Sequence, residues 1–138
     1  MGSATIQWIA KGQFVATDSS KHSVVLSTQD AENGTGMKPS DLLLAALGAC
    51  TAVDVVSILL KKRQRLTSLE IQVTGEQDAD PPWAFHKIHV VYNVRGHGLA
   101  EKAVADAVRL AEDKYCSVKA TLDKAVAIDS AYHVVSDE

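Results

Sequence analysis

Two cysteines, Cys50 and Cys116, are the residues of this chain best suited to chemistry. A thiolate attacks electrophilic oxygen or sulfur, and its first oxidation product is reversible when a second thiol can close a disulfide. Cys50 sits inside the apolar run Leu42 to Leu60. Unpaired cysteines in such runs more often fill a core than react. Cys116 lies at a predicted junction between two helices, where Ser117 is placed to cap the second one. A helix N-terminus at that point would favour a Cys116 thiolate, with a buried filler as the competing reading. The two residues are far apart along the chain, so their spacing does not show whether they meet. No CxxC pair exists, and a thioredoxin-type motif has no support.

The other candidates carry weaker signals. Asp54 follows Cys50 by four residues and shares its helix face, where a carboxylate would oppose thiolate formation. Its simpler reading is a polar group bonded to a neighbouring strand or subunit. His22, His86, His89, His97 and His133 are scattered, without HxH or HExxH spacing, so no metal or other cofactor is expected. Glu112 and Asp113, one turn ahead of Cys116, read most simply as a solvated helix face. The chain has neither a phosphate-binding glycine loop nor a GxSxG elbow.

The elements that must position these residues are legible from periodicity. Thr5–Ile9, Gln13–Thr17 and Ser23–Ser27 are β-branched and aromatic runs, the first two flanking a Lys11-Gly12 turn. Residues 29–37 read as a loop. Pro39-Ser40-Asp41 opens a helix with acidic Asp41 in its first turn. The run that follows is about as long as a membrane span, but Asp54 and the small residues around it argue for a buried soluble helix. A helix apolar nearly all round needs cover on every side, which a chain of 138 residues hardly supplies alone. A homodimer is therefore expected. Leu69–Gly75 alternates cleanly, with Ile88–Val94 as its expected antiparallel partner. Leu99–Tyr115 reads as an amphipathic helix, Val118–Lys124 as a short one, and a last strand runs from Ala125 to about Val135. Strands with helices gathered between them indicate an α+β fold.

Composition narrows the function. The length fits a single domain over residues 1–138, and 46% apolar with 22% charged residues is ordinary for a globular protein. A net charge of −3 argues against nucleic acid as a partner. Lys61-Lys62-Arg63 is the longest basic run and suits a helix C-terminus. With no signal peptide evident, the expected compartment is the cytoplasm, where two cysteines are more often free or reactive than structural.

Two segments resemble one family. Lys38-Pro39-Ser40-Asp41-Leu42-Leu43-Leu44-Ala45-Ala46-Leu47-Gly48-Ala49-Cys50 looks like the central-helix signature of the OsmC/Ohr superfamily, named for osmotically inducible and organic hydroperoxide resistance proteins. Glu112-Asp113-Lys114-Tyr115-Cys116-Ser117-Val118 is similar to its second-cysteine segment. The run from Cys50 to Leu59 looks more like the OsmC-like branch than like the hydroperoxide reductases.

The resemblance implies antiparallel sheets around a long buried central helix in an intertwined dimer. It implies that Cys50 attacks a peroxide, that Cys116 resolves the sulfenic acid as a disulfide, and that a cellular dithiol reduces the pair. Well-studied members use a Glu directly after the Pro and an Arg from the N-terminal hairpin. Here Ser40 follows Pro39, Asp41 comes one place later, and Lys11 is the only basic residue the hairpin offers. Three functions follow: a thiol peroxidase, a redox-responsive or small-apolar-ligand-binding protein without efficient turnover, and a structural dimer module.

Overall fold

A computed structural model describes residues 1–137. The chain forms two compact units, Met1–Leu43 and Leu44–Glu138. The element order is β1 (Ala4–Ala10), β2 (Gln13–Asp18), β3 (Ser23–Ser27), α1 (Pro39–Lys61), β4 (Arg65–Gln77), β5 (Phe85–His97), α2 (Glu101–Leu110), a π-helical turn (Ala111–Tyr115), α3 (Ser117–Leu122) and β6 (Ala127–Ser136). The fold is α+β, as the order of periodicities predicts.

The first unit is an antiparallel sheet in the order β1-β2-β3. Trp8 pairs with Phe14, and Phe14 with Leu26, so one face of this sheet carries a row of large apolar residues. Ile6 and Trp8 on that face are 60% and 67% exposed, more than a folded chain normally leaves bare. The loop after β3 is held by Asp30, whose carboxylate accepts from the Thr28 hydroxyl and from the amides of Glu32 and Asn33. The Thr28 hydroxyl leads in holding that carboxyl down at about 2.

The second unit is a sheet in the order β4-β5-β6 with helices on one face. Leu69 pairs with Val94, Ile71 with Tyr92 and Val73 with Val90, in the register that the alternating pattern requires. The inward row Ile88, Val90, Tyr92 and Val94 is fully buried, and α2 adds Val104, Ala107 and Val108 to the same core. β6 runs parallel to β5, so the second sheet is mixed. The physical reason is the crossover: α2, the π turn and α3 carry the chain back to the starting end of the sheet, which parallel pairing demands. Gly96 is required where β4 and β5 approach, because an added Cβ would lie 2.3 Å from the Arg65 carbonyl oxygen.

α1 buries one face only. Leu47, Thr51, Val55 and Leu59 recur every four residues and are closed from solvent. Gly48 lets the helix approach β4, since a Cβ there would meet Val73 at 3.0 Å. On the other side Val53 is 69% and Leu60 57% exposed. The expectation of a helix buried all round is therefore not met within one chain. By length and composition α1 could cross a membrane, yet its buried face is packed in this core.

Candidate functional site

Cys50 lies half-buried at the middle of α1 and packs against the core of the second unit. Cys116 is 2% exposed and caps α3, its Sγ accepting from the Lys119 amide at 3.3 Å. The two free thiols are neighbours, close enough that each perturbs the acidity of the other. The first turn of α3, at Ser117 and Val118, also lies beside Cys50.

The donors make the two thiols unequal. Burial opposes ionisation of Cys50, but the hydrogen bonds from Cys116, Val118 and Ser117 outweigh it and hold the thiol below its ordinary value. Cys116 is pushed up to about 11, first by burial and then by donating its proton to Cys50. The helix end at residue 117 therefore serves both cysteines: the Lys119 amide holds Cys116 Sγ, and the first turn also favours the Cys50 thiolate. Cys116 itself, and not Ser117, is the N-cap. Its extended backbone (φ −80°, ψ 105°) turns the side chain back over the first turn, where Sγ accepts from the Lys119 amide.

Glu112 corrects a second expectation. It is not on a solvated face: its side chain is 11% exposed. It accepts from the Tyr92 hydroxyl at 2.6 Å and from the Ser130 hydroxyl at 3.1 Å, with Lys119 Nζ at 3.9 Å. Tyr92 is fully buried, and burial with the bond to Glu112 raises its phenol far above the usual range. Asp113 does face solvent, as expected, and pairs with Lys119 at 3.6 Å. The signal available in the sequence was the position of Tyr92 on the inward row of β5, since a buried phenol needs a partner.

The remaining candidates are dispersed. Asp41 is exposed in the first turn of α1, nine residues ahead of Cys50. Lys11 sits at the β1–β2 turn with φ 50° and forms an ion pair with Glu32. Asp54 lines a groove with Ser57, Lys61, Leu110 and Tyr115. His86 pairs with Asp78 at 3.0 Å, and His89 pairs with Asp129 on the solvent side of the second sheet. Among the described residues no His, Cys, Asp or Glu group is arranged to hold a metal ion.

The OsmC-like protein family matches residues 31–131, which include both cysteines. The chain belongs to the OsmC family. It is 36% identical to Protein YhfA of Escherichia coli K12 over 133 residues, which is 96% of this chain and 98% of that protein. Among solved structures, a hypothetical protein from Aquifex aeolicus is 27% identical with a TM-score of 0.88, covering 100% of this chain and 98% of that one. The organic hydroperoxide resistance protein OhrB of Bacillus subtilis shares the fold, with 18% identity, a TM-score of 0.63 and coverage of 95% and 98%. Within this OsmC framework the thiol pair is carried by α1 and the turn before α3.

Proposed function

We propose that the protein reduces peroxides with Cys50 as the attacking thiolate and Cys116 as the resolving thiol. The observation that carries this reading is the adjacent pair of free thiols with opposite acidities. The Cys50 thiolate attacks one peroxide oxygen, the O–O bond breaks, and the leaving alkoxide takes up a proton to become an alcohol. Cys50 is then a sulfenic acid. Cys116 loses its proton and attacks the Cys50 sulfur, hydroxide leaves as water, and a disulfide remains. A cellular dithiol returns two electrons and two protons, restoring both thiols. Cys50 packs among apolar side chains, so an uncharged organic peroxide enters at lower cost than an anion. The first turn of α3 favours the Cys50 thiolate, the part that the resemblance gives to a hairpin cation, for which Lys11 with Asp41 is the proposed counterpart.

The test is thiol counting by mass spectrometry around addition of an organic hydroperoxide. Loss of two thiols as one intramolecular disulfide, reversed by a dithiol with continued peroxide consumption, is the expected result. Retention of both free thiols in excess peroxide would overturn the reading. A single oxidation without turnover would favour a redox-responsive protein instead, a reading supported by Ser40 standing where related proteins carry Glu.

We also propose that the working form is a homodimer built on α1. Ala46, Ala49, Val53, Val56 and Leu60 follow at alternating spacings of three and four, the seam by which two helices pack. Ala46, Ala49, Val53 and Leu60 are exposed in the single chain. Light scattering is expected to give twice the chain mass at micromolar concentration. A stable monomer would sink the proposal.

A further inference from the structure

The π-helical turn before Cys116 has a structural effect that an α turn would not. π turns are rare and concentrate at functional sites. Here the Cys116 amide donates to the Ala111 carbonyl at 2.9 Å, five residues back. The widened turn brings Ala111, Glu112 and Cys116 inward together and leaves Asp113, Lys114 and Tyr115 outside. Glu112 is thereby aimed at three elements at once: Tyr92 of β5, Ser130 of β6 and Lys119 of α3. Lys119 is also the residue whose amide holds Cys116 Sγ. The start of the same short helix also lies beside Cys50.

We propose that Glu112 is the positioning residue of the thiol pair, clamping the π turn and α3 to the sheet so that the first turn of α3 holds Cys116 and stays beside Cys50. It touches neither sulfur, and its effect is transmitted through Lys119 and the backbone of the turn. The proposal deepens the thiol chemistry above, and it rests on that reading only for its biological meaning. A helix of six residues has little stability of its own, so its N-terminal geometry depends on what ties it down. Glu112 supplies two hydroxyl donors and a cation at that point, with its own side chain nearly closed from solvent. The charged and titratable groups near the pair are Cys116, Glu112 and Lys119 after α2, Tyr92 on β5, and Asp54 one turn along α1.

The test is the pH dependence of alkylation at Cys50, read site by site by mass spectrometry, with no peroxide present. Glu112→Ala is expected to move the Cys50 midpoint up by about one pH unit, roughly tenfold slower labelling near neutrality. Glu112→Gln keeps one acceptor oxygen, its amide N–H donating to the oxygen of the other hydroxyl, and is expected to recover most of the wild-type profile. A folded Glu112→Ala protein with an unchanged profile would overturn the proposal. If that variant is insoluble, Tyr92→Phe removes a single hydroxyl and is expected to shift the profile in the same direction by severalfold in rate. An unchanged Tyr92→Phe profile is then the overturning result. Peroxide consumption by the wild type is followed in parallel. Absence of turnover together with the Glu112 shift would remove the peroxidase reading while supporting the positioning role.

Discussion

Cys50→Ser is expected to abolish dithiol-dependent peroxide consumption, and Cys116→Ser to stop after one oxidation per chain. A serine hydroxyl at position 50 is not ionised at neutral pH and cannot attack the O–O bond. In Cys116→Ser the first step survives, because the first turn of α3 still lies beside Cys50, but the support that the neighbouring Cys116 thiol gives the Cys50 thiolate is weakened. The first oxidation is therefore expected to slow by a modest factor, while the second step disappears. The sulfenic acid then persists and is trapped by dimedone as a single adduct on Cys50. In the wild type the trap competes with a thiol already in contact, and little adduct is expected. The measurement is intact mass with and without dimedone, beside a peroxide consumption assay. Undiminished turnover in both single variants would end the two-cysteine mechanism.

The second large effect is selectivity between the thiols. Between pH 7 and 8, iodoacetamide is expected to modify Cys50 and spare Cys116. Alkylation follows the thiolate. With Cys116 at about 11, roughly one molecule in a thousand carries that thiolate at pH 8. Cys50 lies below the ordinary thiol value, so at pH 8 its thiolate is the more abundant of the two. The sign follows from the hydrogen bond: donating a proton stabilises the Cys50 anion and is itself forfeited when Cys116 ionises. The first proton to leave the pair thus leaves Cys50, and a second negative charge beside it is resisted. Burial of Cys116 at 2% exposure adds a steric barrier in the same direction. Cys116 labelling should rise only as pH approaches 11. Equal labelling of the two sites below pH 9 would show that the donors do not converge on Cys50.

This asymmetry also bears on repair. A resolving thiol of high pKa is a poor nucleophile until its proton leaves, and the hydroxide released from the sulfenic acid is the nearest acceptor. Resolution is then coupled to formation of the intermediate it consumes, because Cys116 has no thiolate to spend on other oxidants beforehand.

The local elements were legible in the sequence because each carries its own period. Leu69, Ile71 and Val73 alternate, so they declare a strand with one buried face, and the register with β5 follows from placing that face inward. Pro39 and Asp41 mark the start of α1 by missing-donor and dipole arguments that need no neighbour. The two cysteines stood out by type, and the segments around them resembled one family closely enough to predict its fold. Contact between Cys50 and Cys116 was a different matter, since nothing in either segment's periodicity refers to the other. Their meeting depends on where α1 lies on β4 and β5 and on where the chain turns after α2. That turn was itself hidden: a π turn costs local hydrogen-bond geometry and is held by tertiary bonds, here those of Glu112, which no helical pattern encodes. For the same reason a glutamate that reads as solvated became nearly closed from solvent, a serine that reads as a cap gave way to Cys116, and the last strand, expected in an antiparallel sheet, ran parallel to β5. Composition and spacing determined that this is an α+β protein with two candidate thiols. Packing decided which of them is the acid, because the acidity of a thiol is set by the donors within reach of its sulfur, and those come from a helix more than sixty residues away in the chain.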